Sequence, residues 1–154
     1  MLFHKITSTS LGIGYIGKGA GTVAAAATCL VWYFMSYFNP GTADNYLYSL
    51  VITAFITGLG IWSGNIVETI WGKDHQRVVI DEVAGMCITL LWIPVTLSNV
   101  LAGLVLFRFF DIVKPLYIKR LEALPGGWGV MFDDVLAGVY ANIVLHFILI
   151  FNIL

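Results

Sequence analysis

Four long apolar stretches, residues 22–38, 46–67, 83–107 and 135–154, alternate with shorter polar segments rich in glycine, proline and charge. Runs of this length predict helices that cross or enter a bilayer, whose hydrocarbon core of roughly 30 Å takes about 20 helical residues. The first run is rich in alanine and aromatics, and lies between Gly17, Gly19 and Gly21 on one side and the breaker Asn39-Pro40-Gly41 on the other. The second carries Gly58, Gly60, Ser63 and Gly64, small residues that let a neighbouring helix approach closely. The third is interrupted by Pro94, with Thr96, Ser98 and Asn99 just beyond it.

That interruption has two readings. As one kinked span, residues 83–107 would put Asp81 and Glu82 on the opposite side of a membrane from Asp111. As a turn, Pro94 to Asn99 makes a helical hairpin whose ends return to one side, although each arm is then short for a bilayer. The cations favour the hairpin. Under it Lys5, Lys18, Lys73, Arg77, Arg108, Lys114, Lys119 and Arg120 all share one side, which by the positive-inside bias is the cytoplasmic one. The expected fold is an all-α polytopic membrane helix bundle of about five membrane helices, with a Pro94-centred hairpin, in one domain over residues 1–154. Of the nine acidic residues only Asp44 falls on the other side.

Composition supports the class. At 59% hydrophobic and 11% charged residues, with a mean hydropathy of +0.89, the chain is too apolar for a soluble domain. A net charge of −1 with few cations gives no nucleic-acid footprint, and nothing points to an obligatory protein partner. Cys29 and Cys87 lie deep in apolar runs without metal-ligand spacing, and read as inert buried thiols. The first run ends in Tyr37 and Phe38 with no small-residue cleavage signal, so it is expected to stay in the protein.

Against that apolar background five carboxylates stand out: Asp81, Glu82, Asp111, Asp133 and Asp134, each at the mouth of an apolar segment. Ionised groups beside a bilayer are costly, so a concentration of them suggests a site. Together with nearby cations they form an inventory for handling a phosphate with a hard metal ion. Magnesium needs only a few carboxylates plus substrate oxygens and water. Each acid also has a plain reading. Asp81 with Glu82, and Asp133 with Asp134, suit the first turn of a helix, and Asp111 suits an ion pair with Arg108 or Lys114 at helical spacing. The glycine-rich segment from Gly12 to Gly21, with Lys18 and Thr22, is either a flexible linker or a phosphate cradle opening a helix. Lys119 and Arg120 read as lipid anchors, and His75 as polar surface.

Three blocks carry a resemblance: Val79-Ile80-Asp81-Glu82-Val83-Ala84-Gly85-Met86, Arg108-Phe109-Phe110-Asp111-Ile112-Val113-Lys114-Pro115, and Gly126-Gly127-Trp128-Gly129 running on through Asp133-Asp134 to Gly138. In this order they resemble the phosphatidylglycerophosphatase A family of bacterial membrane phosphatases, from about residue 11 to residue 154. The resemblance implies magnesium-dependent hydrolysis of phosphatidylglycerophosphate to phosphatidylglycerol and phosphate, at the bacterial inner membrane with the active site facing the cytoplasm. It makes Asp81, Glu82, Asp111, Asp133 and Asp134 the metal-binding and catalytic acids, with Lys114 beside them. Arg108, Lys18 and Thr22 would contact substrate phosphate, and Asp74 matches a frequent family acid. The N-terminal block departs from the family's Pro-Gly-Thr pattern, reading Lys18-Gly19-Ala20-Gly21-Thr22. Two rivals are a divalent-cation transporter or channel, which would place acids near the bilayer midplane, and a non-catalytic membrane subunit, which leaves the acids unexplained.

Overall fold

The structure, a computed structural model, describes residues 1–38, 46–73 and 75–153. The breaker at Asn39-Pro40-Gly41, Asp44 and Asp74 lie outside the described residues. In chain order the helices are α1 (Leu2–Ser8), α2 (Ala20–Phe38), α3 (Tyr46–Trp71), α4 (Ile80–Leu90), α5 (Leu97–Val113), α6 (Ile118–Leu121) and α7 (Gly127–Ile150). A 3-10 turn at Ile13–Ile16 joins α1 to α2, and there is no strand among the described residues.

Among the described residues three helices, α2, α3 and α7, are long and apolar enough to cross a membrane. Outward-facing Leu30, Phe34, Val105, Ile143 and Phe147 are exposed, the pattern of a bundle whose solvent is hydrocarbon. The interrupted stretch does fold back. Its arms α4 and α5 hold 11 and 17 residues, about 16 and 25 Å of helix, so each is shorter than a roughly 30 Å core.

Backbone groups at a turn inside an apolar bundle need partners, since an unpaired carbonyl there costs several kcal/mol, on the order of 2–7. Asn142 of α7 supplies them: its Nδ2 donates to Thr89 O at 3.0 Å and to Leu91 O at 2.9 Å. Asn99 Nδ2 donates to Pro94 O at 2.8 Å, and Thr96 Oγ1 caps α5 by accepting from Asn99 N at 3.2 Å. Pro94 breaks the helix, and these two asparagines make the break stable.

Helix α7 is the hub, packed on α3, α4, α5 and α6. Its crossing with α4 is set by Gly85 and Gly138. A Cβ on Gly138 would collide with the Gly85 carbonyl, and one on Gly85 would lie 2.7 Å from Asp134 O. The two backbones therefore touch, which brings the acids at the head of α4 beside those of α7. On the α3 side Gly64 and Gly127 meet in the same way. Short α1 lies against α3 and the start of α4, with His4 Nδ1 3.2 Å from Ser63 Oγ and Val79 N donating to Ser8 O at 2.9 Å.

Candidate active site

The acids converge at one end of the bundle. Asp81 and Glu82 occupy the first turn of α4, Arg108 and Asp111 the last two turns of α5, and Asp133 and Asp134 the second turn of α7. Together with Lys114, His75, Gln76 and the segment 17–21, they line a polar cavity of about 260 Å³. Asp81, Asp111, Asp133 and Asp134 are each at least nine-tenths buried.

The plain readings fare unevenly. The N-cap of α4 is Val79, with no side-chain cap bond. Helix α7 begins at Gly127 rather than near residue 135, so Asp133 and Asp134 lie inside the helix and cannot cap it. Arg108 Nη1 does pair with Asp111 Oδ2 one turn along. Lys114 behaves otherwise. It ends α5 in the left-handed conformation (φ 47°, ψ 54°), so its side chain leaves the helix and donates to Asp133 Oδ2 and Glu122 Oε1, both at 2.6 Å. Burial alone would pull the Lys114 ammonium down, yet its bonds to Asp133 and Glu122 hold it above the ordinary lysine value.

Charge in the cavity is unbalanced. Asp81, Glu82 and Asp134 each present an oxygen within 4.8 Å of the other two, and Asp111 lies close enough to Asp134 and Glu82 to interact by charge. Two like charges 4 Å apart repel by about 4 kcal/mol at an effective dielectric of 20. Outside the three long helices, burial first and then the neighbouring Glu82 carboxylate push Asp81 well above the usual carboxylate range, and burial raises Glu82 as well. Asp81 Oδ1 and Glu82 Oε2 are buried with no hydrogen-bond partner among the described residues. Oxygen donors without protein partners, crowded within a few ångströms, suit a hard divalent cation.

Gly21, in the first turn of α2, sits directly on the Glu82 carboxylate: a Cβ there would collide with Oε1 and lie 3.3 Å from Arg108 Nη1. The glycine is required by close approach rather than by its backbone angles. Gly21→Ala is expected to displace the Glu82 carboxylate and lower activity about 10- to 100-fold, the scale for disturbing a ligand's support, with little change in melting temperature. Steady-state phosphate release beside a thermal melt checks this.

Lys18 lines the cavity as expected, whereas Thr22 is exposed and is not among the lining residues. The second glycine-rich segment, residues 126–129, is a helix contact. Gly126 turns the chain at φ 64°, Gly127 N donates to Asn65 Oδ1 at 2.7 Å, and Gly127 packs on the α3 backbone. His75 and Gln76, which line this cavity, and Glu122, which accepts from Lys114 beside it, were not singled out for the site by the sequence pattern. Glu122 is a lone acid beside Lys119 and Arg120, and only the turn at Lys114 brings it into play.

An apolar helical bundle with a buried carboxylate cluster and two cations at one end defines a membrane-type protein with a polar site at its edge. The profile of the phosphatidylglycerophosphatase A family matches residues 6–149, so the chain belongs to that family. Escherichia coli phosphatidylglycerophosphatase A is 36% identical over 146 residues, 93% of this chain and 81% of its own. The Haemophilus influenzae phosphatidylglycerophosphatase A is 48% identical over 99 residues, 62% of this chain and 61% of its own. A Bacteroides thetaiotaomicron protein, provisionally named a phosphatidylinositol-3-phosphatase, is 40% identical over 146 residues, 91% of this chain and 89% of its own. No solved structure matches. The chain is a lipid phosphatase, a hydrolase of phosphoric monoesters.

Proposed function

We propose that the chain removes the terminal phosphate of phosphatidylglycerophosphate, giving phosphatidylglycerol and inorganic phosphate, with magnesium as cofactor. The observation that carries this reading is the set of three mutually close acidic side chains, Asp81, Glu82 and Asp134, two of them with unpartnered buried oxygens. These three would hold the ion, with Asp111 and Asp133 at its margin. Magnesium, when bound, polarises a phosphoryl oxygen and makes water a better nucleophile.

The side chains divide the remaining work. Arg108, tied to Asp111 and with its Nε buried and unpartnered among the described residues, is placed to meet a phosphoryl oxygen. Lys114, held by Asp133 and Glu122, supplies fixed positive charge to offset the negative charge on the phosphoryl oxygens. Water oxygen bonds to phosphorus and gives up a proton, the ester P–O bond breaks, and the departing glycerol oxygen takes a proton in turn. Lys18 on the segment 17–21 closes the cavity from the α2 side.

In a bacterial inner membrane, α2, α3 and α7 would cross the bilayer. The α4–α5 hairpin would enter from the side that holds the cations, making about five membrane helices and turning the site to the cytoplasm. The headgroup then reaches the acids while the rest of the lipid stays in its leaflet.

A second reading, a phosphatidylinositol phosphate as substrate, is favoured by the name of the Bacteroides relative, which is matched over nine-tenths of this chain. Purified protein in detergent, offered each lipid in turn, separates the two. Release is expected to be faster from phosphatidylglycerophosphate, to stop with a chelator and to return with magnesium or manganese. Faster release from phosphatidylinositol phosphate moves the assignment to the second reading. Release from neither, or release indifferent to chelation, sinks the proposal.

A further inference from the structure

A second cavity, of about 520 Å³ and almost wholly apolar, opens on the side of the bundle between α2 and α3, with α1 over one end and α4 as its floor. Its size lies in the usual range for a small-ligand site, about 300–1,000 Å³. It plays no part in the chemistry above, but it is continuous with the helices that carry that chemistry. On α2 the polar cavity takes Ala20 and Gly21, and the apolar groove begins at Ala24, three residues or about 4.5 Å further along. On α4 Asp81 and Glu82 face the polar cavity while Ile80 and Val83, which flank them, form the groove floor.

Length narrows the occupant. Along α2 the groove runs from Ala24 to Met35, about 16 Å of helix, close to the thickness of one leaflet, half of a roughly 30 Å hydrocarbon core. It starts beside the acids and runs away from them. Its lateral edge is open, with Val31 and Tyr48 exposed. A helix of another copy would need a broad face; a channel that starts beside a phosphate site and runs one leaflet deep suits a single hydrocarbon chain.

We propose that this groove holds an acyl chain of the phospholipid substrate while its phosphate occupies the carboxylate cavity. The inference rests on the lipid-phosphatase reading and adds a chain-binding subsite to it. Tail contacts made equally before and at the transition state are uniform binding, so their loss should appear chiefly in KM.

Two variants fill the groove: Ala27→Phe at its half-buried wall and Val31→Trp at its exposed edge, the second placed where added bulk does not strain the core. For each, kcat/KM is measured on dioleoyl and dihexanoyl phosphatidylglycerophosphate. The long-to-short ratio is expected to fall about ten-fold in the variants, through KM, the scale of losing a pocket contact of about one methylene. A ratio unchanged in both variants overturns the proposal.

A second arm does not depend on turnover. Wild-type protein in phosphatidylcholine nanodiscs is irradiated with phosphatidylglycerophosphate bearing a diazirine on its acyl chain, and labelled peptides are mapped. Labelling concentrated on α2 and the first half of α3, displaced by unlabelled phosphatidylglycerophosphate but not by added phosphatidylcholine, supports the subsite even if no phosphate is released. Labelling spread around every helix, or displaced equally by phosphatidylcholine, means bulk bilayer lipid only and overturns it.

Discussion

Asp134→Asn should lower phosphate release by about 10³-fold while the bundle stays folded. Asparagine keeps the shape of the side chain but replaces one of the three carboxylate donors that lie within 4.8 Å of one another by a neutral amide. A bound ion is worth several kcal/mol at the transition state, and each 1.36 kcal/mol is a factor of ten in rate. Glu82→Gln should behave alike. The stability change should have the opposite sign to the activity change, because removing a charge from a crowded acid cluster relieves repulsion. In metal-free buffer the Asp134→Asn melting temperature is expected to equal or exceed that of wild type. A variant that is inactive because it is unfolded would show a lower one.

Burial, with the same repulsion behind it, sets the pH response of the metal-free protein. Since Asp81 holds its proton more tightly when folded than when unfolded, the unfolded chain binds fewer protons as pH rises above the usual carboxylate range. Stability then falls with rising pH, up to the raised folded value. Bound divalent cation should offset that loss.

Gly138→Ala is expected to cost about 1–3 kcal/mol of stability and about 10²-fold in rate, although Gly138 touches no substrate. An added methyl there runs into the Gly85 carbonyl, which is backbone and cannot swing aside, so α4 and α7 must separate. Separation pulls Asp81 and Glu82 away from Asp134, and a displacement of about 1 Å at a reacting centre costs about 10²-fold. Gly58→Ala, where nothing lies within 4 Å of the added atom, is the matched control and should be near neutral in both readouts. A melt and a turnover assay on the two variants decide the matter.

Much of this architecture was legible in the chain. The apolar runs and the break around Pro94 located α2, α3 and both arms of the hairpin, because hydrophobic length and helix breakers act locally. The grouping of the five acids followed from one topological inference, that Pro94 turns the chain back. What escaped the sequence was set by contacts between distant segments. The start of α7 was misplaced because Gly126 to Gly129 reads as a loop by composition. Against α3 those glycines are the surface that lets two helices touch. Gly21 read as linker or cradle, and its role under Glu82 depends on how α2 packs on α4. Glu122 had no sequence signal, since its bond to Lys114 exists only because Lys114 leaves the helix in a left-handed turn. The two asparagines that stabilise the hairpin split in the same way: Asn99 is visible beside Pro94, but Asn142 lies far along the chain and reaches the turn only when α7 is in place.

Manganese binding to the purified protein, followed by electron paramagnetic resonance in the absence of lipid, bears most directly on the shared carboxylate cluster. Wild type is expected to bind the ion, and Asp134→Asn and Glu82→Gln each to weaken it at least about ten-fold, with magnesium competing at the same site. Equal manganese affinity in wild type and both variants would contradict the assignment of these acids as ligands.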